Sequence, residues 1–146
     1  MTKMIFVNLP VADVAASTRF YEAIGCTKDE RFSQEGVASA MVWSETISFM
    51  ILAHDFFRTF TPKPIADSHA STEVLICLSR DSRAEVDAIV EAAAAAGGKA
   101  DIRDKQDMGF MYSRAFEDPD GHVFEPMHMD VEAAMAAMGG AESAAA

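Results

Sequence analysis

Two glutamates are placed to do chemistry. Glu73 is one step out of phase with Val74, Ile76 and Leu78, and Glu125 is one step out of phase with Phe124. Successive side chains of an extended chain alternate between faces. If the apolar positions pack on helices, both carboxylates point to the other side of the sheet. Two carboxylates in a partly apolar hollow do not both ionise unless something neutralises them. A divalent cation, a shared proton or an arginine would do so. The pair therefore predicts one of two arrangements. The first is a metal site or an acid/base pair. The second is plain solvation or pairing with Arg58, Arg103 or Arg114.

Other reactive residue types carry less. The four histidines, His54, His69, His122 and His128, show no HxxxH or HxH spacing and read as surface or hydrogen-bonding residues. Cys26 and Cys77 lack CxxC spacing, which excludes a disulfide scaffold and a zinc ribbon and leaves a reducing cytoplasm as the expected compartment. Cys77 falls in a strand and reads as a small buried hydrophobe, not a nucleophile. Phe56, Phe57 and Phe60, with Trp43, could cover an apolar or aromatic ligand; the favoured reading is a helix packed on a sheet edge or in a dimer interface.

Composition bounds the rest. The chain has 146 residues, 50% of them hydrophobic and 24% charged, which fits one globular domain and not a disordered or fibrous chain. Twelve basic against 23 acidic residues give a net charge of −11, and no basic stripe interrupts it. Nucleic acid and anionic membrane are thus not expected partners. An anionic thiol such as glutathione is also disfavoured, with Arg19, Lys63 and Arg103 as the anchors left for one. No signal peptide and no transmembrane span is read.

The elements that must position these residues repeat. A strand over Met4–Val11 is followed by a helix capped by Asp13, carrying Val14, Ser17, Tyr21 and Ile24 on one stripe and stopped by Gly25. Strand-like runs follow at Lys28–Phe32, Val37–Trp43 and Ile47–Leu52. Residues 53–71 break the pattern, with a short helical piece and then Thr61-Pro62-Lys63-Pro64 as an extended linker. The order then recurs: a strand over Glu73–Leu78, a helix capped by Asp81 or Ser82 and ending at Gly97-Gly98, and runs at Lys99–Arg103, Phe110–Phe116 and His122–Met129. Asp118-Pro119-Asp120-Gly121 forms the turn before the last of these. The organisation predicted is one domain over 1–146, with modules at about 4–52 and 72–130, a linker at 53–71 and a helical tail at 131–146.

Asn8-Leu9-Pro10-Val11-Ala12-Asp13, followed by Ser17, Phe20, Tyr21 and Gly25, resembles the opening of the vicinal oxygen chelate superfamily. That superfamily holds glyoxalase I, the bleomycin and fosfomycin resistance proteins and extradiol dioxygenases. The run Phe116–Glu125 is similar to its closing hairpin, and the likeness spans about residues 4–130. The resemblance implies an α+β fold of two βαβββ modules forming a curved, cup-shaped mixed sheet with helices outside. It also implies a homodimer, in which module one of one chain can pair with module two of the other. Glyoxalase I places four metal ligands on the first and last strands of the modules. Here those positions hold Phe6, Met50, Glu73 and Glu125. A divalent ion wants three or four N/O ligands. Asn8, Ser48, His54, His69 and His128 are the further donors available.

Three functions compete under this resemblance. One is a lyase or isomerase like lactoylglutathione lyase, in which a divalent metal (Ni, Zn, Fe, Co or Mn) polarises a small carbonyl substrate. Glu125 would then be a ligand, and Glu73 a ligand or base. The second is a metal-free, drug-sequestering protein of the bleomycin-resistance kind. Its cup, lined by Phe6, Asn8, Met50, Leu75 and Met127, would hold an amphipathic, cationic small molecule. The third is an extradiol-type dioxygenase, which ranks last because no histidine sits at the expected ligand positions.

Overall fold

The computed structural model describes residues 1–145, and the side chains of residues 1–139. The first module runs β1 (Ile5–Val11), α1 (Val14–Ala23), β2 (Thr27–Gln34), β3 (Ala38–Val42) and β4 (Ile47–Ala53). A short helix α2 (His54–Phe57) continues into a 3-10 turn at Arg58–Phe60. The second module runs β5 (Leu75–Ser79), α3 (Arg83–Ala95), β6 (Lys99–Ala100), β7 (Gln106–Asp107), β8 (Met111–Ser113), β9 (Phe116–Glu117) and β10 (Val123–Met129). Helix α4 (Val131–Ala145) follows.

The helix boundaries obey their caps. The Asp13 carboxylate accepts from the Ala16 N–H at 3.0 Å, and Gly25 follows the helix at φ +114°, where a side chain would be strained. In α3 the cap is Ser82, whose hydroxyl accepts from the Glu85 N–H at 3.1 Å.

The first sheet has the order β1-β4-β3-β2, with β1 parallel to β4 and the rest antiparallel. In the second, β10 pairs in parallel with β5 and antiparallel with both β8 and β9, while β6 pairs with β9 and β7 with β8. Reading β8 and β9 as one interrupted strand, and β6 and β7 as another, reproduces the order of the first sheet. The fold is therefore α+β, two βαβββ modules whose mixed sheets each curl into half of a cup with the helix on the outer side. The interruptions shorten the strands predicted at Lys99–Arg103 and Phe110–Phe116. Asp101, at φ +53°, turns the chain after β6, and the break between β8 and β9 falls at Arg114 and Ala115, although the Arg114 N–H still donates to the Pro126 carbonyl at 3.2 Å.

The core lies between the modules. Phe20 and Tyr21 of α1, Phe49 of β4, Phe116 of β9 and Phe124 of β10 are all at most 1% exposed and form one aromatic cluster. The Phe49 and Phe124 rings meet edge to face, with centroids 5.5 Å apart. That contact fixes how the modules stack. Met50 and Glu125, each next in sequence to one of these rings, project from the opposite faces of their sheets. The two half-cups of one chain thus open away from each other.

Candidate functional site

The second half-cup is built on β5, β10 and β8. Register pairs Leu75 with Val123, Cys77 with Glu125, and Ser79 with Met127 and then Ser113, so these side chains share one face. At its centre Glu125 is bonded by an arginine. Its Oε1 accepts from Arg103 Nε at 3.4 Å and from a terminal nitrogen of Arg103 at 3.3 Å. The same terminal nitrogen donates to Ser113 Oγ at 3.1 Å, and the other donates to the Asp104 carbonyl at 2.9 Å. Both side chains are about three-quarters buried, so solvent screens the pair only partly.

Cys77 lies beside Glu125 and is exposed, not buried as its strand position suggested. The reason is that its sheet face is uncovered. Partial desolvation, and after it the Glu125 charge, push its thiol up, and Arg103 opposes them. A raised thiol is a poor nucleophile. Cys26 is buried, which pushes its thiol up to about 12.

Glu73 does not join Glu125. It precedes β5 and is exposed, against the expectation of a strand over Glu73–Leu78. The register explains why. Leu75 pairs with Val123, so Glu73 would have to pair with Gly121, which closes the turn before β10 at φ +90°. No ladder extends that far. Glu73 instead lines a cavity of about 520 Å³ between the linker and both modules, together with Lys63, Ser68 and His122.

The first half-cup is apolar. Asn8 of β1, Met50 of β4 and Ala40 of β3 are register partners on one face, with Phe6 beside Ser48 one step along. Phe6 and Leu75 are 55% and 57% exposed, so large apolar side chains stand open on both sheet faces. Met50 and Met127 are half-buried. Two of the histidines are already bonded elsewhere. His122 Nε2 bonds the Pro10 carbonyl at 2.8 Å, and His128 Nδ1 bonds the Arg80 carbonyl at 3.1 Å. Both point away from the half-cup, because Pro126 is buried on the Phe124 side and the alternation holds.

The four positions that hold the metal in glyoxalase I therefore carry a phenylalanine, a methionine, an exposed glutamate outside its strand, and a glutamate bonded to arginine. Among the described residues no group of three His, Cys, Asp or Glu side chains is placed to hold an ion. This donor set does not fit a divalent metal within one chain.

Sequence reasoning named Arg103 as one of three partners for the glutamates. It missed Ser113, which orients Arg103, and Phe32, which stands beside Phe56 and Phe60 around a second pocket on the first half-cup. The cue for Phe32 was its place at the end of an expected strand. Trp43 packs elsewhere, with the Arg80 guanidinium 5.4 Å from its ring centroid.

Among the described residues no helix is long and apolar enough to cross a membrane. A search of curated proteins found no match. Among solved structures the chain is similar to a hypothetical protein from S. aureus, at 23% identity and a TM-score of 0.72, covering 88% of this chain and 94% of that one. It is similar to a glyoxalase/bleomycin resistance protein/dioxygenase family enzyme from Burkholderia phytofirmans, at 19% identity and a TM-score of 0.70, covering 88% and 99%. A lactoylglutathione lyase from Agrobacterium tumefaciens shares the fold at 17% identity and a TM-score of 0.62, covering 88% and 94%. The sequence family described as Glyoxalase/Bleomycin resistance protein/Dioxygenase superfamily matches residues 3–125. With the twofold βαβββ repeat, this match over most of the chain places the protein in the glyoxalase/bleomycin resistance protein/dioxygenase superfamily.

Proposed function

We propose that the protein binds a small organic molecule without a metal, on the sheet faces that carry Phe6, Asn8 and Met50 in one module and Leu75, Met127 and the Arg103–Glu125 pair in the other. The observation that carries this reading is the bond from Arg103 to Glu125. The guanidinium neutralises the one inward carboxylate, which is the service a metal would otherwise render there. The same pairing removes the basis for selecting a cationic ligand. With Glu73 outside the half-cup and Glu125 paired, the walls are close to neutral.

Because the half-cups of one chain open away from each other, closing a cup takes a second copy. The proposed assembly is a homodimer in which module one of each protomer covers module two of its partner. The exposed Phe6 and Leu75 faces support this. Sedimentation is expected to give a dimer.

The decisive experiment is elemental analysis of protein purified without chelator, before and after incubation with nickel, zinc, cobalt and manganese. No stoichiometric metal is expected in either sample, and no rise in melting temperature on adding metal. Arg103→Met is expected to weaken by about tenfold any carbonyl or amide ligand found by thermal shift, because its polar anchor is gone. Stoichiometric metal together with hemithioacetal isomerisation would overturn the proposal in favour of a metal-dependent lyase.

A further inference from the structure

A pocket of about 420 Å³ lies on the first half-cup, wholly within one chain. Its walls are three phenylalanines from two separate segments: Phe32 near the end of β2, and Phe56 and Phe60 from α2 and the 3-10 turn after it. Met50, Leu52 and Ala38 form its floor. Phe56 and Phe60 meet edge to face, with ring centroids 5.1 Å apart and planes at 77°. Phe32 and Phe60 nevertheless remain 65% and 67% exposed. Aromatic rings packed into a core do not stay so open; here they flank a hollow.

Charge narrows the occupant. Among the described residues the one cation on the rim, Arg31, is held by Asp29 through two hydrogen bonds, at 3.0 and 2.8 Å, so the rim is neutral at that point. The Arg31 guanidinium also lies 5.4 Å from the Phe32 ring centroid, which covers one ring face and leaves the other for a ligand. Asn8 and Gln34 supply carboxamides at the edge.

We infer that this pocket takes an uncharged, flat aromatic group, seated on the Met50–Leu52 floor between Phe32 and the Phe56–Phe60 pair. Aromatic walls give a flat ring stacking and edge contacts beyond area burial, a methionine floor adapts to its outline, and the volume is that of a small-ligand site. A neutral rim has nothing to offset the desolvation of a charged group. The inference rests on the small-molecule reading above and assigns the ligand's aromatic portion to the Phe32–Phe60 pocket. The polar portion falls to the Arg103–Glu125 pair that the second copy of the proposed dimer brings over this half-cup.

A matched pair of probes tests it. N-phenyl-1-naphthylamine is neutral; 8-anilinonaphthalene-1-sulfonate is the same skeleton with a sulfonate. On the full chain, the neutral probe is expected to bind saturably, one per chain, with rising fluorescence. The sulfonate is expected to bind at least about tenfold more weakly. Phe32→Ser and Phe60→Ser each weaken the neutral probe by about tenfold with an unchanged melting temperature, since both rings are exposed. The neutral probe has no group for the Arg103–Glu125 pair, so Arg103→Met leaves its affinity within about twofold. Equal affinity for the two probes, or neutral-probe binding that survives both serine substitutions, overturns the inference. Neither result bears on metal content, so a failure here is distinguishable from a failure of the proposed function.

Discussion

Replacing Asp118 with alanine is expected to lower the unfolding free energy by about 3–5 kcal/mol, a large share of what a domain this size has. Asp118 is 2% exposed and accepts three hydrogen bonds: from the Tyr21 hydroxyl at 2.8 Å, the Asp120 N–H at 3.0 Å and the His122 N–H at 2.8 Å. Alanine orphans all three donors, and the Tyr21 hydroxyl is buried where water does not reach it. Asp118→Asn is the control. Its carbonyl oxygen still accepts from both N–H groups and its amide donates to the tyrosine oxygen, which leaves only the Tyr21 hydroxyl proton without an acceptor, so it should cost about 1–2 kcal/mol, less than alanine. Burial pushes the Asp118 carboxyl up, against the hydrogen bonds and the His122 charge that favour ionisation. The folded pKa lies above the unfolded one, so this group's contribution is complete below about pH 4 and is lost as pH rises through the folded value. Asp118→Asn therefore gains on the parent between about pH 4 and 7. Urea unfolding of the three proteins at both pH values reads the whole set. A loss below about 1 kcal/mol for Asp118→Ala would sink the reading of this turn as the tie between modules.

The tie is also where the sequence was most legible. The turn Asp118–Gly121 and the opening run Pro10–Tyr21 were picked out separately, as two ends of one resemblance. In the structure they are each other's partners. Asp118 bonds Tyr21, the Asp120 carboxylate accepts from the Ala12 N–H at 2.8 Å and from Ser17 Oγ at 3.3 Å, and His122 bonds the Pro10 carbonyl. Gly121 is confined to glycine twice over. It sits at φ +90°, and a Cβ there would come within 2.8 Å of the His69 nitrogen and the Ser68 carbonyl carbon. Local pattern was enough for these residues because polar turn chemistry and helix caps are written in short stretches.

The site was less legible because it depends on register and stacking. Alternation placed Glu125 on the right face, yet the same rule applied to Glu73 extended β5 two residues beyond the point where β10 has a partner to offer. Choosing Arg103 over Arg58 and Arg114 needed the irregular chain after β6, where Asp101 turns the chain. Arg58 pairs with Asp55 on α2 instead. That the half-cups open apart follows from the Phe49–Phe124 contact, which joins residues 75 positions apart in sequence. Periodicity names the buried face of each sheet but not the face it is buried against.

Arg114 supports the second large prediction: Arg114→Met is expected to cost about 3 kcal/mol and to flatten the acid limb of the stability curve. Its side chain is 5% exposed and works on three carboxylates. A forked pair reaches Asp101 at 2.9 and 2.7 Å, one terminal nitrogen bonds Asp87 at 2.9 Å, and Glu91 lies at 3.4 Å. One guanidinium thus holds α3 against the break between β8 and β9 and pins the turn after β6. Without it Asp101 and Glu91 lose their partner and Asp87 keeps only the Tyr112 hydroxyl, at 2.7 Å. The cost stays at the low end of the range for a broken buried pair because the acids are 37–71% exposed and can be hydrated. The Arg114 hydrogen bonds hold the Asp101 carboxyl below its usual value. At Asp87 the Tyr112 hydroxyl leads, and Arg114 adds to it. A depressed folded pKa stabilises above the unfolded value, near pH 4, and that stability is lost as pH falls through the folded value. The parent should therefore lose stability steeply below about pH 4, and Arg114→Met should lose less over the same span. Arg114→Lys should fall between, since a single ammonium cannot fork to Asp101 and also reach Asp87. Chemical unfolding of the three proteins across pH 3 to 7 distinguishes this from a packing role, for which the methionine variant would run parallel to the parent at every pH.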